Sequence, residues 1–171
     1  MSGSNRIRYQ RILREAEGYL ELNLPQNALA TLQRMPDPGT FKGRKLYLLG
    51  EALRALGRYH DAVDALEQAA ELVPSNLSLW LALGWCHKRS GRLDLAITAL
   101  ERAREVEPEQ AIVHYNLACY WSLAGKKQQA LDYLSRAIAL QPDYREMVHD
   151  EVDFDPIRSD PDFQAMTSIV V

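Results

Sequence analysis

The side chains that could carry chemistry in this chain are four histidines, His60, His87, His114 and His149, two cysteines, Cys86 and Cys119, and several carboxylate pairs. A metal or nucleophilic site needs such groups at intervals that let them converge. The histidines show no metal-ligand spacing with each other or with the cysteines, and neither a phosphate loop nor a nucleophile elbow occurs. Asp61 with Asp64, Glu67 with Glu71 and Glu101 with Glu105 recur at helical intervals and read as solvated faces. The expectation is a protein without catalytic residues, metal or cofactor. Any function then falls to aromatic and basic side chains that could grip a partner, and those depend on the helices that carry them.

The helices announce themselves by repetition. Gly57, Gly91 and Gly125 are 34 residues apart, and Pro74, Pro108 and Pro142 keep the same step. On that step Gly50, Gly84 and Ala118 superimpose, as do Ala62, Ala96 and Ala130, then Leu66, Leu100 and Leu134, then Ala69, Ala103 and Ala137. A fixed period of this length marks a repeat array whose units bury their apolar faces on one another. Leu46, Leu49, Gly50 and Leu53 recur at helical spacing before the turn glycine, and Ala62, Leu66 and Ala69 after it. Gly57 can adopt the left-handed cap that stops the first helix, and Pro74 ends the second by lacking an amide hydrogen and restricting Val73. Gly50, Ala62 and Ala69 leave room for a neighbouring backbone, while Leu46, Leu53 and Leu66 fill the layer between helices.

The stretch Trp80, Leu83, Gly84, His87, Gly91, Ala96, Leu100, Ala103 and Pro108 resembles a tetratricopeptide repeat, with histidine where that family prefers tyrosine. The next unit keeps Leu117, Ala118, Gly125, Ala130, Leu134, Ala137 and Pro142, with Trp121 at the tyrosine position and His114 at the large apolar one. Counting back gives a degenerate unit with Ala16, Tyr19, Ala28 and Leu32 in phase. There Asn23 replaces the turn glycine, and Pro36, Pro38 and Gly39 break the end early, as in a terminal capping repeat. The resemblance implies an all-α, right-handed α-solenoid of four helix-turn-helix repeats, 9–42, 43–76, 77–110 and 111–144. A polar and basic lead, 1–8, precedes them, and an acidic helical cap, 145–171, follows. His87 and His114 sit at core positions of the repeat and read as structural, and Cys86 and Cys119 lie on first helices beside apolar neighbours as packing residues.

Composition fits a compact soluble protein: 171 residues, 47% apolar and 25% charged. No stretch is apolar enough to span a membrane, and the polar start followed by Arg6, Arg8 and Arg11 gives no secretory signal, so the expected location is the cytoplasm. The net charge of −3 divides into −5 for residues 145–171, which hold two arginines against seven acidic residues, and +2 for the rest. That imbalance is too weak to imply nucleic acid as a partner. Arg6, Arg8, Arg11 and Arg14 are a local exception and read as a solvated helix start.

In the family resembled, first helices line a concave groove along which peptides lie. Carried over unit by unit, this lining contains Tyr47, Leu48, Leu81, Trp85, Tyr115 and Asn116, whose large apolar members the repeat pattern does not require. Arg44, Arg54, Lys88 and Arg89 would form a basic rim. Such a groove suits a protein or peptide segment that is apolar with acidic residues. The alternative is that Trp85 or Tyr115 covers a neighbouring helix and the cations are ordinary solvated charge. A second function remains open, a homodimer through the groove or an end of the stack. The carboxylate clamp of heat-shock co-chaperones is excluded. In its two possible registers the chain offers Leu13, Glu17, Leu48, Ser78 and Ala82, or Tyr47, Glu51, Ala82, Ile112 and Asn116, which lack converging cations.

Beyond the repeats, Met147, Val148 and Val152 could continue a short helix. Asp160 before Pro161 resembles an N-cap opening a final helix through Phe163 and Met166. The string from Asp153 to Phe163 is similar to segments that close tetratricopeptide arrays in bacterial proteins. It could cap the last repeat through Phe154, Ile157, Phe163 and Met166, or, being acidic and apolar, occupy a groove of its own or a neighbouring molecule.

Overall fold

The computed structural model describes residues 3–168, and no strand occurs among them. Two units divide the chain, one up to Arg92 and one from Leu93. The first holds α1 (Gly3–Glu21), α2 (Pro25–Gln33), a 3-10 turn (Gly39–Phe41), α3 (Lys42–Ala55), α4 (Tyr59–Leu72) and α5 (Leu77–Arg89). The second holds α6 (Leu93–Val106), α7 (Ala111–Leu123), α8 (Lys127–Leu140), α9 (Tyr144–Met147), a 3-10 segment (Val152–Ile157) and α10 (Pro161–Thr167). Helices thus alternate with short turns through an all-α repeat fold of the solenoid class.

Each helix pair turns in the same way. Asn23, Gly57, Gly91 and Gly125 have φ of 56°, 73°, 73° and 69°, the left-handed cap conformation expected of them. The N–H of the following residue closes each turn onto a carbonyl five residues back: Leu24 to Tyr19 at 2.8 Å, and Arg58 to Leu53, Arg92 to His87 and Lys126 to Trp121 at 2.9 Å. The stop before proline is equally regular. Val73 and Gln141, each ahead of a proline, leave the helical region at φ −136° and −144°. In the first pair α2 has 9 residues where α4 and α8 have 14, since Pro36 and Pro38 forbid its continuation.

The in-phase small and large residues are the core. Ala62, Ala96 and Ala130, Leu66, Leu100 and Leu134, and Ala69, Ala103 and Ala137 are all 0% exposed. In the first unit α3 approaches α4 so closely at Gly50 that an added Cβ would stand 2.5 Å from Leu66 Cγ. Tyr9, Ile12, Leu13 and Ala16 of α1 join Ala28 and Leu32 of α2 and Met35 in an apolar cluster that also takes in Leu48 and Ala52 of α3.

In the second unit the chain after α8 folds back on α7. Tyr144, Val148, Phe154, Ile157 and Phe163 are buried, and Met166 is half-buried. Met147 and Val152 point outward instead, at 51% and 68% exposure, so only Val148 of the three apolar residues named for this stretch enters the core. Arg158 fastens the turn by donating to the carbonyls of Val148, His149 and Glu151 at 3.2, 3.0 and 2.7 Å. Asp160 caps α10, its Oδ1 accepting from the N–H groups of Asp162 and Phe163 at 3.0 and 3.4 Å, with Pro161 at the first helical position.

Candidate partner-binding face

Four of the residues singled out from the sequence come together on α3 and α5. Trp85, half-buried, has the Arg54 guanidinium 5.3 Å and the Arg89 guanidinium 5.6 Å from its ring centroid. Both distances are in the range where a cation is drawn to an aromatic face. Arg54 is steered there by Glu51, one turn back on α3, through bonds of 2.9 and 3.0 Å to its two carboxylate oxygens. That bond holds the Arg54 guanidinium above its ordinary pKa, with burial opposing. Tyr47 joins from the same helix, half-buried. Burial, then the Glu51 charge, raises its phenol above the usual value.

Tyr59 completes the arrangement and was not foreseen. Its ring meets Trp85 edge-on at 5.2 Å, and Arg89 lies 5.5 Å from its centroid. The signal was available in the repeat itself, because the equivalent positions hold Pro25, Leu93 and Lys127, none of them aromatic. Arg89 is exposed and has no carboxylate partner among the described residues, so its charge is held only by the two rings. Lys88 and Leu81 of α5 are half-buried. Beneath this face Cys86 is fully buried, and burial pushes its thiol up to about 11 against the pull of Arg54, so it stays protonated at neutral pH.

Other residues named for the groove are elsewhere. Leu48 is 2% exposed and belongs to the core shared with α1 and α2, because the first helix pair lies against that side of α3. Arg44 is spent on Glu17 of α1 in an ion pair of 2.6 Å. Tyr115, in the second unit, is 4% exposed: it stacks on Tyr144 at 4.5 Å and meets Phe154 edge-on at 5.7 Å. The C-terminal segment covers it, so Tyr115 is packing rather than contact surface, and burial drives its phenol well above the ordinary value. Asn116 beside it is half-buried.

The same fold-back creates a donor set that sequence reading missed. Cys119, Glu151 and Asp153 bring a thiol and two carboxylates within 4.8 Å of one another. One sulfur and two oxygens are ligand types that suit zinc. Here Glu151 already accepts the Asp153 N–H at 3.1 Å, acting as a local cap. Histidine and cysteine intervals could not reveal it, because both carboxylates lie in the closing segment. In the first unit a cavity of about 370 Å³ opens between α2 and α3, with Leu29, Leu32 and Leu49 on its walls and Lys45 and Arg58 at its rim. The expected histidines are structural: His87 is buried 3.8 Å from Glu67, and His114 Nε2 lies 2.6 Å from the Pro108 carbonyl. No helix among the described residues is long and apolar enough to cross a membrane.

Comparison with known proteins agrees with this architecture. A tetratricopeptide repeat model matches residues 53–118 and a second one residues 111–144. No curated protein sequence matches the chain. Among solved structures, MamA is 22% identical, with 81% of each chain covered and a TM-score of 0.72. YrrB, described as a tetratricopeptide protein with an unusual peptide-binding site, is 25% identical over 78% of this chain and 69% of its own, with a TM-score of 0.69. TTC0263, a thermophilic tetratricopeptide protein of Thermus thermophilus, is 23% identical over 80% and 77% of the two chains, with a TM-score of 0.65. Turn glycines, pre-proline stops, buried in-phase alanines and leucines, and the two matched models converge on one conclusion: the chain belongs to the tetratricopeptide repeat family.

Proposed function

We propose that this protein is a non-catalytic interaction scaffold that holds a partner's peptide segment, apolar with acidic residues, against the α3–α5 face around Trp85. One observation carries the reading: a half-buried tryptophan set between two guanidiniums, one of which, Arg89, has no carboxylate partner among the described residues. Tryptophan and arginine dominate contact energies at interfaces because they combine large area with few rotatable bonds or a rigid donor fork. A carboxylate arriving from a partner can pair with Arg89 while an apolar neighbour covers the indole edge. The surface is preorganised by Glu51 and Tyr59, so little ordering is left for the moment of binding. YrrB's described peptide-binding site supports the same class of partner for this chain. The cytoplasm is the compartment consistent with two reduced, buried cysteines.

Selection from a displayed random-peptide library tests this directly. Peptides enriched on the wild-type chain are expected to pair acidic with apolar residues and to lose at least about tenfold in affinity for the Trp85→Ala, Arg89→Glu variant. Equal affinity for the two proteins, both shown folded by circular dichroism, moves the binding surface off this face.

A further inference from the structure

Charge in this protein is divided between the units. Residues 1–92 hold thirteen basic against nine acidic side chains, a net of +4, and residues 93–171 hold seven against fourteen, a net of −7. Four arginines near the start of α1, Arg6, Arg8, Arg11 and Arg14, account for the whole excess of the first unit; without them it has nine of each sign. Six other arginines are tied down: Arg34, Arg44, Arg54, Arg58, Arg102 and Arg104 each meet a carboxylate within 3 Å. The four on α1 are exposed and pair with no carboxylate among the described residues. Ile7 stands among them, 63% exposed, while Tyr9, Ile12, Leu13 and Ala16 occupy the buried side. Ile7, Arg11 and Arg14 follow one another at helical intervals with Arg8 alongside, a strip about 10 Å long from the rise of the helix.

A strip of opposite sign occurs in the second unit. Asp143, Glu146, Met147 and Asp150 fall at i, i+3, i+4 and i+7 around α9 and the turn after it, all exposed, while Tyr144 and Val148 face inward. None of its three carboxylates has a cationic partner among the described residues, and Met147 is 51% exposed. Val152, 68% exposed, follows just beyond. One strip is an apolar side chain ringed by unpaired cations and the other an apolar side chain ringed by unpaired anions. Each leaves its charge unanswered among the described residues.

We propose that the arginine strip of α1 docks on the Asp143–Asp150 strip of a second copy of this chain. Each copy carries one strip of each sign, so two copies can exchange both strips in a closed dimer, and a copy that leaves a strip free can recruit another. Arginine's planar fork suits carboxylate partners, and Ile7 against Met147 supplies the apolar centre that pure charge pairing lacks. A polyanionic occupant of another kind, a bilayer rich in acidic headgroups, matches the arginines but leaves the acidic strip unexplained. This contact is independent of the Trp85 face.

Sedimentation equilibrium across protein concentration, at about 0.05 M and about 0.5 M salt, tests it, since the Debye length falls several-fold between them. The expected result is a weight-average mass that climbs above the monomer at low salt and returns to it at high salt. Arg11→Glu with Arg14→Glu is expected to lower the association constant at least tenfold, and so is Glu146→Arg with Asp150→Arg. The chain carrying all four substitutions has the wild-type net charge and regains association. All sites are exposed, and matched circular dichroism checks the fold. A mass that stays monomeric at every concentration, or a fourfold variant no better than the double ones, overturns the proposal. So does a monomeric wild type that co-sediments with vesicles of phosphatidylserine and phosphatidylcholine, which assigns the arginines to a membrane surface.

Discussion

Tyr47 and Tyr115 are the same residue at the same position of their repeats, and their surroundings differ. Tyr47 lies half-buried on α3 with the small, polar Ser78 opposite it on α5. Tyr115 on α7 is sealed by Tyr144 and Phe154 from the chain that follows the last repeat. The repeat supplies an aromatic to its first helix in both cases. Whether that aromatic becomes core or surface is decided by what the next segment of chain lays against it. An aromatic C-terminal segment turns the α7 face into interior, while a serine and two arginines leave the Trp85 face with polar, charged edges. Contact surface and cap are therefore alternative fates of one structural position.

The comparison is broken most forcefully from the covered side. Phe154 is 0% exposed and touches both Tyr115 and Phe163, so Phe154→Ala is expected to cost about 3–5 kcal/mol and to admit solvent to Tyr115. Urea unfolding gives the first quantity and the tyrosine absorbance titration the second, the Tyr115 phenol falling back toward its ordinary range. A variant as stable as the parent means that the C-terminal segment lies on α7 without supporting it. Gly50→Ala comes next, at about 1–3 kcal/mol, because the new methyl must displace Leu66, itself fully buried between α3 and α4. Trp85→Ala, on the open side, is expected to cost less than Phe154→Ala, about 1–2 kcal/mol for a half-buried ring, while removing peptide binding. A Trp85 loss as large as the Phe154 loss makes Trp85 core and removes the basis of the binding face.

The fold was legible in the sequence because its period is short and local. A glycine, a proline and three in-phase core residues per unit specify a turn, a stop and a helix contact, and each operates within or between adjacent helices. Asn23 could be read as a turn residue for the same local reason. The proposed binding face was legible only in part. Trp85, Arg54, Arg89 and Tyr47 were placed by repeat position, but position does not say what a side chain meets. Leu48 went to the core because α1 and α2, from a unit with a weak pattern, cover it. Arg44 was lost to Glu17, a partner two helices away in the chain. Tyr115 was lost to a segment outside the repeat, where the 34-residue step gives no register. The cluster of Cys119, Glu151 and Asp153 was invisible for that reason too.

The smallest expected effect concerns how the covering segment is fastened. Lys127 at the start of α8 reaches Asp160 at 2.9 Å and Asp162 at 3.3 Å, so one lysine ties the α10 cap to the last repeat. Its hydrogen bond to Asp160 holds that carboxyl below the usual carboxylate range, with burial opposing and the Asp162 and Phe163 N–H groups adding to it. The same bond, followed by that from Asp162, raises Lys127. A depressed folded-state carboxyl contributes stability above its unfolded pKa and loses it as pH falls through the folded value. A raised folded-state lysine contributes below its unfolded pKa and loses it as pH rises through the folded value. The pair should therefore act at full strength between about pH 5 and 10 and fade at both ends. Asp160→Asn isolates the charge, because asparagine caps a helix about as well as aspartate. The difference in urea midpoint between wild type and Asp160→Asn is expected to be small, flat from about pH 5 to 9, and to shrink as pH falls below about 4 toward the depressed Asp160 value. It should also shrink with added salt, since both groups face water. A difference that persists unchanged at pH 3 cannot come from the ion pair; it would transfer the role of Asp160 to the geometry of the α10 cap and leave Lys127 as solvated charge.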